Sequence, residues 1–252
     1  AFVSLVGREK PLDSDQMQAF TDFAMQIMLP PNPVRALDNS LSPEQQRGHD
    51  LYMFASTTPI ADTCNACHEL DAQKRHFGSD GTVTGEGGRV SQDFKVPPLR
   101  NAYTKVGRFD DNQEQIRGFG FLHDGSEPTL LRFFQSGVFL FTSDEDRNRV
   151  SDFLFAIDTN LAPIVGQQVT VSPKNRESAL KRLDLLLQRG QLHECDVVAS
   201  TVIKSKQIQA IANSATQFVT TSNQSISRDA LLQTNYPVTF TCYPPGNAQR
   251  LL

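Results

Sequence analysis

Five consecutive residues, Cys64 to His68, have the types and the spacing needed to hold a haem covalently. They read Cys-Asn-Ala-Cys-His, the C-x-x-C-H pattern of c-type haem attachment. Two thiols three positions apart can each add to a vinyl group of one porphyrin, and the adjacent imidazole can then ligate the iron. The sequence therefore predicts one covalent haem c, held by Cys64 and Cys67, with His68 as an axial ligand.

Two other uses of a C-x-x-C pair fit the sequence less well. A zinc site would need two further ligands at metal-binding spacing, and the remaining cysteines, Cys195 and Cys242, are far from the motif and from each other. A thioredoxin-like redox motif belongs in a βαβ context, which the surrounding sequence does not provide. Haem attachment is favoured over both.

The expected compartment follows from the haem. Covalent attachment needs an oxidising or extracytoplasmic location, so we expect a periplasmic or extracellular protein. There Cys195 and Cys242 form an even pair, and we predict a disulfide between them. No apolar run approaches the roughly 18 residues of a membrane span, so no transmembrane segment is expected. Because the first residues lack the features of a signal peptide, we expect a chain that is either processed or cut from something longer. Its abrupt apolar start and its end just after an apparent strand favour a fragment of a larger secreted protein.

Charge is divided unevenly along the chain. Residues 1–166 contain 15 Lys and Arg against 23 Asp and Glu, a balance of −8, whereas the remainder has 9 against 5, a balance of +4. An acidic haem-bearing half argues against nucleic-acid binding. It is compatible with docking a basic redox partner, although a solvated acidic surface is the simpler explanation.

Helical periodicity predicts the elements that lead to the motif. An amphipathic helix is expected over residues 13–29, followed at 30–33 by an extended linker with little hydrogen bonding of its own. A second helix begins at Ser42, where Gln45 completes a capping box. Its Gly48 and the aromatic residues after it are typical of the N-terminal helix of class I cytochromes, where the small residue permits close helix crossing.

The segments after the motif complete the predicted fold. Helices are expected over 128–137 and 143–158, and the second of these is expected to cross the helix that begins at Ser42. Residues 77–89 predict a flexible glycine-rich loop at the haem edge. Within that loop, Asp80 and Glu86 offer an alternative calcium site. The remaining predicted elements are a strand at 168–171, a helix from Ser172-Pro173 to Gly190, strand-like runs at 196–203, 207–221 and 238–243, and a short helix near 227–233.

These elements predict a mainly α fold with two domains. Residues 1–166 are expected to form a class I-like mono-haem cytochrome c domain with an N-terminal helix. Residues 167–252 are expected to form a small α+β domain stapled by the disulfide. A chain of 252 residues is long enough for one large domain or two small ones.

Two further motifs carry a resemblance to a known family. K-V-P-P-L-R-N at 95–101 and H-D-G-S at 123–126 follow the C-x-x-C-H. Together they resemble the C-terminal haem domain of bacterial di-haem cytochrome c peroxidases and MauG-like proteins over roughly residues 42–160. The resemblance implies haem contacts from Pro98, Leu99 and Arg100. The chain departs from the family in two ways. It has a single haem motif, and Gly137 stands where the family has its methionine or tyrosine ligand.

The second axial ligand has several candidates in the sequence. His123 is the histidine we favour, because it follows Pro97-Pro98-Leu99 in the part of a cytochrome that closes over the distal face. Alternatively, His123 only braces its loop. The resemblance favours this alternative, because the related peroxidases use their matching histidine without ligating iron. The iron would then take one of the four methionines, water or another donor. The methionines are Met17, Met25, Met28 and Met53.

Three functions are compatible with these residues. The favoured one is electron transfer by a mono-haem cytochrome, with a redox partner protein or a neighbouring haem domain as its partner. The competing one is a peroxidase-like or MauG-like oxidoreductase acting on peroxide or oxygen, for which Arg100, Arg108, Arg117 and His123 could supply distal polar groups. In the third, the haem only relays electrons within a larger secreted protein, and residues 167–252 serve attachment.

Overall fold

The computed structural model describes residues 2–58, 62–85, 93–109, 115 and 119–250. The chain separates into two compact units, residues 1–30 and 31–252. The first unit contains helix α1 (Ser14–Met25), which begins with a capping box between Asp13 and Gln16. This helix ends earlier than predicted, and none of its residues is buried.

The first half of the second unit contains five helices among the described residues. They are α2 (Pro43–Phe54), α3 (Cys64–Cys67), α4 (Ala102–Lys105), α5 (Leu130–Phe134) and α6 (Asp144–Phe155). The predicted capping box of α2 is confirmed: Ser42 Oγ accepts from the Gln45 N–H at 3.2 Å, and Gln45 Oε1 accepts from the Ser42 N–H at 2.9 Å. Helix α5 is shorter than predicted and is capped by Thr129.

Helices α2 and α6 pack directly against each other, as expected. Gly48 lies at the contact, where an added Cβ would overlap the backbone carbonyl of Arg149 and approach Phe153 Cβ to 3.0 Å. One helical turn further on, the Tyr52 ring lies 5.4 Å from the Phe153 ring. The missing side chain at Gly48 therefore sets how closely the two helices approach. The buried core around this contact comprises Tyr52, Tyr103, Val106, Phe121, Leu130, Phe134, Phe141, Val150, Phe153, Leu154, Phe155 and Ile157.

Replacing Gly48 by alanine is expected to destabilise the fold. The new Cβ must push the backbone of α6 away, which costs roughly 1–3 kcal/mol for an overpacked site. Alanine favours a helix over glycine by about 1 kcal/mol, so any destabilisation seen in urea unfolding understates the clash. Gly137→Ala is a suitable control, because a Cβ there meets nothing within 4 Å. Without the close contact, the helix preference alone would raise the unfolding midpoint of Gly48→Ala above that of the wild type, and such a rise would contradict the contact.

Two short antiparallel strand pairs follow the haem motif. Strand β1 (Leu70–Asp71) pairs with β2 (His76–Phe77), and β3 (Val83–Gly85) pairs with β4 (Asp93–Lys95). The predicted loop at 77–89 is therefore wrong in part, because its residues up to Gly85 include strand. The rest of that loop, from Glu86 on, lies outside the described residues.

The second half of the unit is a six-stranded antiparallel sheet. Its strands are β5 (Gln168–Val171), β6 (Asp196–Ile203), β7 (Lys206–Ala212), β8 (Gln217–Thr220), β9 (Ser225–Ser227) and β10 (Val238–Tyr243), in the order β5-β10-β6-β7-β8-β9. Helix α7 (Arg176–Gln191) packs against β5, β6 and β10. Helix α8 (Arg228–Leu232) follows β9, and a 3-10 turn (Ala248–Arg250) follows β10.

Two details of this half differ from the sequence prediction. The run at 207–221 is two strands, β7 and β8, that pair with each other rather than one continuous strand. Helix α7 begins after Asn175, not at Ser172-Pro173. The Asn175 side-chain oxygen accepts from the Ser172 N–H at 2.8 Å, so Ser172 belongs to the turn that precedes the helix.

The core of the sheet half lies between α7 and one face of the sheet. The burial pattern of β10 reflects this arrangement. Val238, Phe240 and Cys242 are buried and alternate with less buried residues, as expected for a strand with one covered face. Cys242 forms the predicted disulfide with Cys195, their Cα atoms 5.3 Å apart. The first buried residue of this core is Leu161, which precedes the predicted domain boundary at 166. The division into two domains at that boundary stays a prediction.

The mainly α fold class is wrong. The structure is 32% helical and 19% strand, with the six-stranded sheet as its largest β element. The prediction failed because it treated the C-terminal part as a small appendage, whereas that part forms a full antiparallel sheet. Within the described residues, no helix is long and apolar enough to cross a membrane.

The segment before α2 is more closely packed than its prolines predicted. Asn32 is 2% exposed, and its side-chain amide donates to the carbonyl oxygens of Phe155 at 2.7 Å and Ile157 at 2.9 Å. At the other end of the segment, the Asn39 amide donates to Glu194 Oε1 at 2.9 Å. The prediction of little hydrogen bonding at 30–33 is therefore wrong at Asn32. Residues 32–39 together bridge the end of α6 and the turn after α7.

Candidate haem site

The C-x-x-C-H residues form one short helical turn, α3. The His68 N–H donates to the Cys64 carbonyl at 2.9 Å, and Asn65 Oδ1 accepts from the Leu70 N–H at 2.9 Å. These bonds hold both ends of the motif. Residues three apart on a helical turn are neighbours on its surface, so Cys64 and Cys67 lie side by side. Both are free cysteines.

The two thiols have different surroundings. Cys64 is half-buried against the aromatic core, and its Sγ lies 3.4 Å from Thr57 Oγ1. Burial raises the pKa of the Cys64 thiol, and the contact with Thr57 offsets only part of that effect. The thiol is therefore protonated at neutral pH. Cys67 is exposed at the surface.

The His68 ring is anchored through one nitrogen. Nδ1 lies 2.9 Å from the Gly78 carbonyl oxygen, and because a carbonyl only accepts, Nδ1 must carry the proton. Nε2 then keeps its lone pair, as a metal-ligating histidine requires. Burial lowers the pKa of His68, against the opposing effect of the carbonyl groups of Gly78 and Pro97. The ring is therefore neutral at neutral pH.

Gly78 is fixed by two neighbouring segments, those of Glu69 and Leu99. Its N–H donates to the Glu69 carbonyl at 2.8 Å, and the Leu99 N–H donates to the Phe77 carbonyl at 2.8 Å. The φ of Gly78 is +93°, and a Cβ would lie only 2.7 Å from Leu99 Cβ. Both the backbone conformation and the space therefore require glycine. This glycine, predicted as part of a flexible loop, is the anchor of the His68 ring.

A polar brace closes the hairpin between His68 and Gly78. Glu69 Oε2 lies 2.6 Å from His76 Nδ1, and Glu69 Oε1 accepts from Lys74 Nζ at 3.0 Å. Hydrogen bonds from Lys74 and His76 lower the pKa of the Glu69 carboxyl, with that from Lys74 the larger. The brace holds β1 against β2, and with it the carbonyl that receives Nδ1.

Tyr52 connects the motif to the helix contact. Its hydroxyl donates to the His68 backbone carbonyl, and its side chain is among the most buried of the fold. Burial raises the pKa of the Tyr52 phenol, so the hydroxyl stays protonated and remains a donor. The position of His68 therefore depends on the packing of α2 against α6.

This donor set fits a covalently bound haem. Cys64 and Cys67 would hold the porphyrin, and His68 Nε2 would ligate the iron. Of the three haem contacts implied by the resemblance, Leu99 packs against Gly78, and the Arg100 guanidinium lies over the Phe77 ring, 4.8 Å from its centroid. Pro98 is exposed. Leu99 and Arg100 thus border the segment that anchors His68, and their contact with haem stays a prediction.

His123 lies in a tight turn. It is exposed, and its ring stacks on Phe94 with centroids 5.1 Å apart and planes 24° apart. The Asp124 carboxylate accepts from the Ser126 N–H at 3.0 Å within the same turn. Among the methionine alternatives, Met53 packs against the aromatic core, and the other three belong to the 1–30 unit. Ligation by His123, or by a methionine, stays a prediction.

The remaining predicted site residues are the distal arginines Arg108 and Arg117 and the calcium candidates Asp80 and Glu86. Arg108 pairs with Asp152 at 2.6 Å and lies over the Phe155 ring, and Arg117 lies outside the described residues. For the calcium alternative, the Asp80 carboxylate accepts from the Thr82 N–H at 2.8 Å, while Glu86 also lies outside. The described part of the chain contains no group of three or more His, Cys, Asp or Glu that could hold a metal ion.

Sequence reasoning missed three residues of this site. The hydroxyl of Tyr52, the side chain of Thr57 and the carbonyl of Gly78 each contact the motif. Tyr52 had a signal, since it is an aromatic residue four positions after Gly48 on the helix that precedes the motif. Thr57 and Gly78 had none, because their roles depend on chain segments that meet only in the folded protein.

Comparison of the chain with protein-family models, with curated proteins and with solved structures finds no match. The resemblance to di-haem peroxidases therefore rests on its motifs alone.

Proposed function

We propose that the chain is a mono-haem c-type cytochrome that transfers electrons through a covalently attached haem. The observation that carries this proposal is the α3 turn, with two free thiols three positions apart beside a neutral imidazole anchored through Nδ1 to Gly78. A bound haem supplies a one-electron couple at its iron. The chain's own residues orient the imidazole and bury the Cys64 side of the site.

Electron transfer is favoured by the unequal exposure of the two cysteines. Outer-sphere transfer needs a haem edge at the protein surface and no substrate pocket. Cys67 is exposed, whereas Cys64 is half-buried. A porphyrin attached to both would have one attached edge at the surface, where a partner can approach, and the other against the aromatic core, which excludes water.

The second candidate is a peroxidase-like or MauG-like oxidoreductase, and the motifs of the resemblance favour it. That chemistry needs an open sixth position on the iron and a polar group beside it. Arg108 is less available for this role than the sequence predicts, because it is already paired with Asp152. The chain also carries one C-x-x-C-H, whereas the peroxidases work with two haems. Both points support electron transfer over the enzyme.

The disulfide supports an extracytoplasmic location. The bond between Cys195 and Cys242 is of a kind that persists in oxidising compartments. A periplasmic or extracellular location is therefore part of the proposal. A redox partner protein or a neighbouring haem domain would exchange electrons with the exposed edge.

The test is the mass and the spin state of the purified protein. Denatured intact mass should exceed the polypeptide mass by one haem, and the adduct should survive acid–acetone extraction. EPR of the oxidised protein should show low-spin iron, the signature of two protein ligands. High-spin iron with covalent haem would favour the oxidoreductase instead. Extractable haem, or bound zinc, would refute haem attachment.

Ligation by His123 makes a separate prediction. If His123 is the second axial ligand, His123→Gly should convert the iron from low spin to high spin, measured by absorption and EPR. Phe94→Leu is a matched control, because it removes the ring that stacks on His123 and leaves the imidazole in place. A His123→Gly variant with the wild-type low-spin spectrum would exclude His123 and make the four methionines the favoured ligands.

A further inference from the structure

Val138 and Leu140 are exposed aliphatic residues on the segment that follows α5, and Thr57 connects this segment to Cys64. The Leu140 N–H donates to the Thr57 carbonyl at 2.8 Å, and Thr57 Oγ1 lies 3.4 Å from Cys64 Sγ. Thr57 is only 5% exposed, so it is enclosed between its neighbours, whereas Leu140 is 55% exposed and Val138 is 49% exposed. Neither aliphatic residue was singled out by the sequence.

The residues between and after them face the core. The Phe139 ring lies 5.0 Å from Phe133 and 5.2 Å from Phe134, and Phe141 is buried in the same aromatic core. The segment is therefore held in place by its aromatic residues while Val138 and Leu140 remain exposed. An apolar side chain that is exposed beside a point of cofactor attachment gains stability when the cofactor covers it.

We infer that Val138 and Leu140 form an apolar contact surface for the haem on its Cys64 side and raise its reduction potential. The inference rests on the proposed covalent haem and adds two residues to its site. Oxidised haem carries one more positive charge than reduced haem. An apolar surface that keeps water from the macrocycle stabilises the added charge poorly, so it disfavours the oxidised state.

Substitution of Leu140 tests the inference. At a fixed ambient potential, Leu140→Gln should lower the ratio of reduced to oxidised protein several-fold, and Val138→Gln should change it in the same direction. Leu140→Met, which stays apolar, should keep the wild-type ratio. Val202→Gln is the matched control, since Val202 is 58% exposed on β6, in the sheet half. A Leu140→Gln ratio that changes no more than that of Val202→Gln overturns the inference.

A second measurement separates this inference from the proposed function. In NMR spectra of the reduced holoprotein, ring currents of the haem should displace the methyl resonances of Leu140 and Val138, but not those of Val202. Undisplaced resonances in a protein that carries covalent haem would refute the contact surface alone. A wild-type protein without covalent haem would refute both the function and the surface.

Discussion

The double substitution Cys64→Ser/Cys67→Ser is expected to leave a polypeptide with no covalently attached haem. A thiol adds across a vinyl double bond, with sulfur bonding to one carbon and hydrogen to the other, whereas a serine hydroxyl is too weak a nucleophile to do so. The denatured intact mass should equal that of the bare polypeptide. Each single substitution should leave one thioether, so that haem mass is retained but the remaining vinyl group changes the absorption of the reduced haem.

The matched control for this result is the other cysteine pair. Cys195→Ser/Cys242→Ser removes two sulfurs that are joined to each other, so it should keep the full haem mass. Haem that remains covalently bound in the Cys64→Ser/Cys67→Ser variant would show that the C-x-x-C-H is not the attachment site.

Removing the disulfide is expected to produce the largest loss of stability. Cys195→Ala/Cys242→Ala opens a loop with a sequence separation of 47. On the chain-entropy model, the free energy of unfolding should fall by roughly 3–5 kcal/mol. Urea unfolding of the variant and the wild type, under non-reducing conditions, measures the difference. A change below that of Gly48→Ala would show that the bond contributes less than its loop predicts.

The state of the same two cysteines can be read directly. In denatured, non-reduced protein, neither Cys195 nor Cys242 should react with iodoacetamide, and both should react after reduction. If Cys64 and Cys67 carry the proposed thioethers, they should stay unlabelled in both experiments. Labelling of Cys195 before reduction would contradict the disulfide in the isolated protein.

Local signals in the sequence predicted the elements they belong to. Ser42 and Gln45 are three positions apart, so their capping box needs no distant partner and could be read directly. Gly48 and the apolar face of α6 together predicted the helix contact, because a small residue and a periodic stripe indicate where helices meet. The disulfide followed from counting, since the haem motif leaves only Cys195 and Cys242.

The remainder depends on contacts between distant segments. Strands β7 and β8 contain many polar residues, so their alternation does not reveal a sheet that extends to six strands. The role of Gly78 depends on Leu99, and that of Thr57 on Cys64 and Leu140. Asn32, between two prolines, carries no sequence signal for the two carbonyls that it binds. These residues act through tertiary contacts, which periodicity does not encode.

The bridge formed by residues 32–39 has a consequence for cooperativity. Asn32 satisfies carbonyl groups at the end of a helix in the aromatic core, and Asn39 binds Glu194, which pairs with Arg189 at 2.6 Å at the end of α7. Opening either core strains the other through this shared segment. The two halves should therefore melt in one calorimetric transition. Reduction of the disulfide in the sheet half should then also make the aromatic core beside the C-x-x-C-H turn open more often.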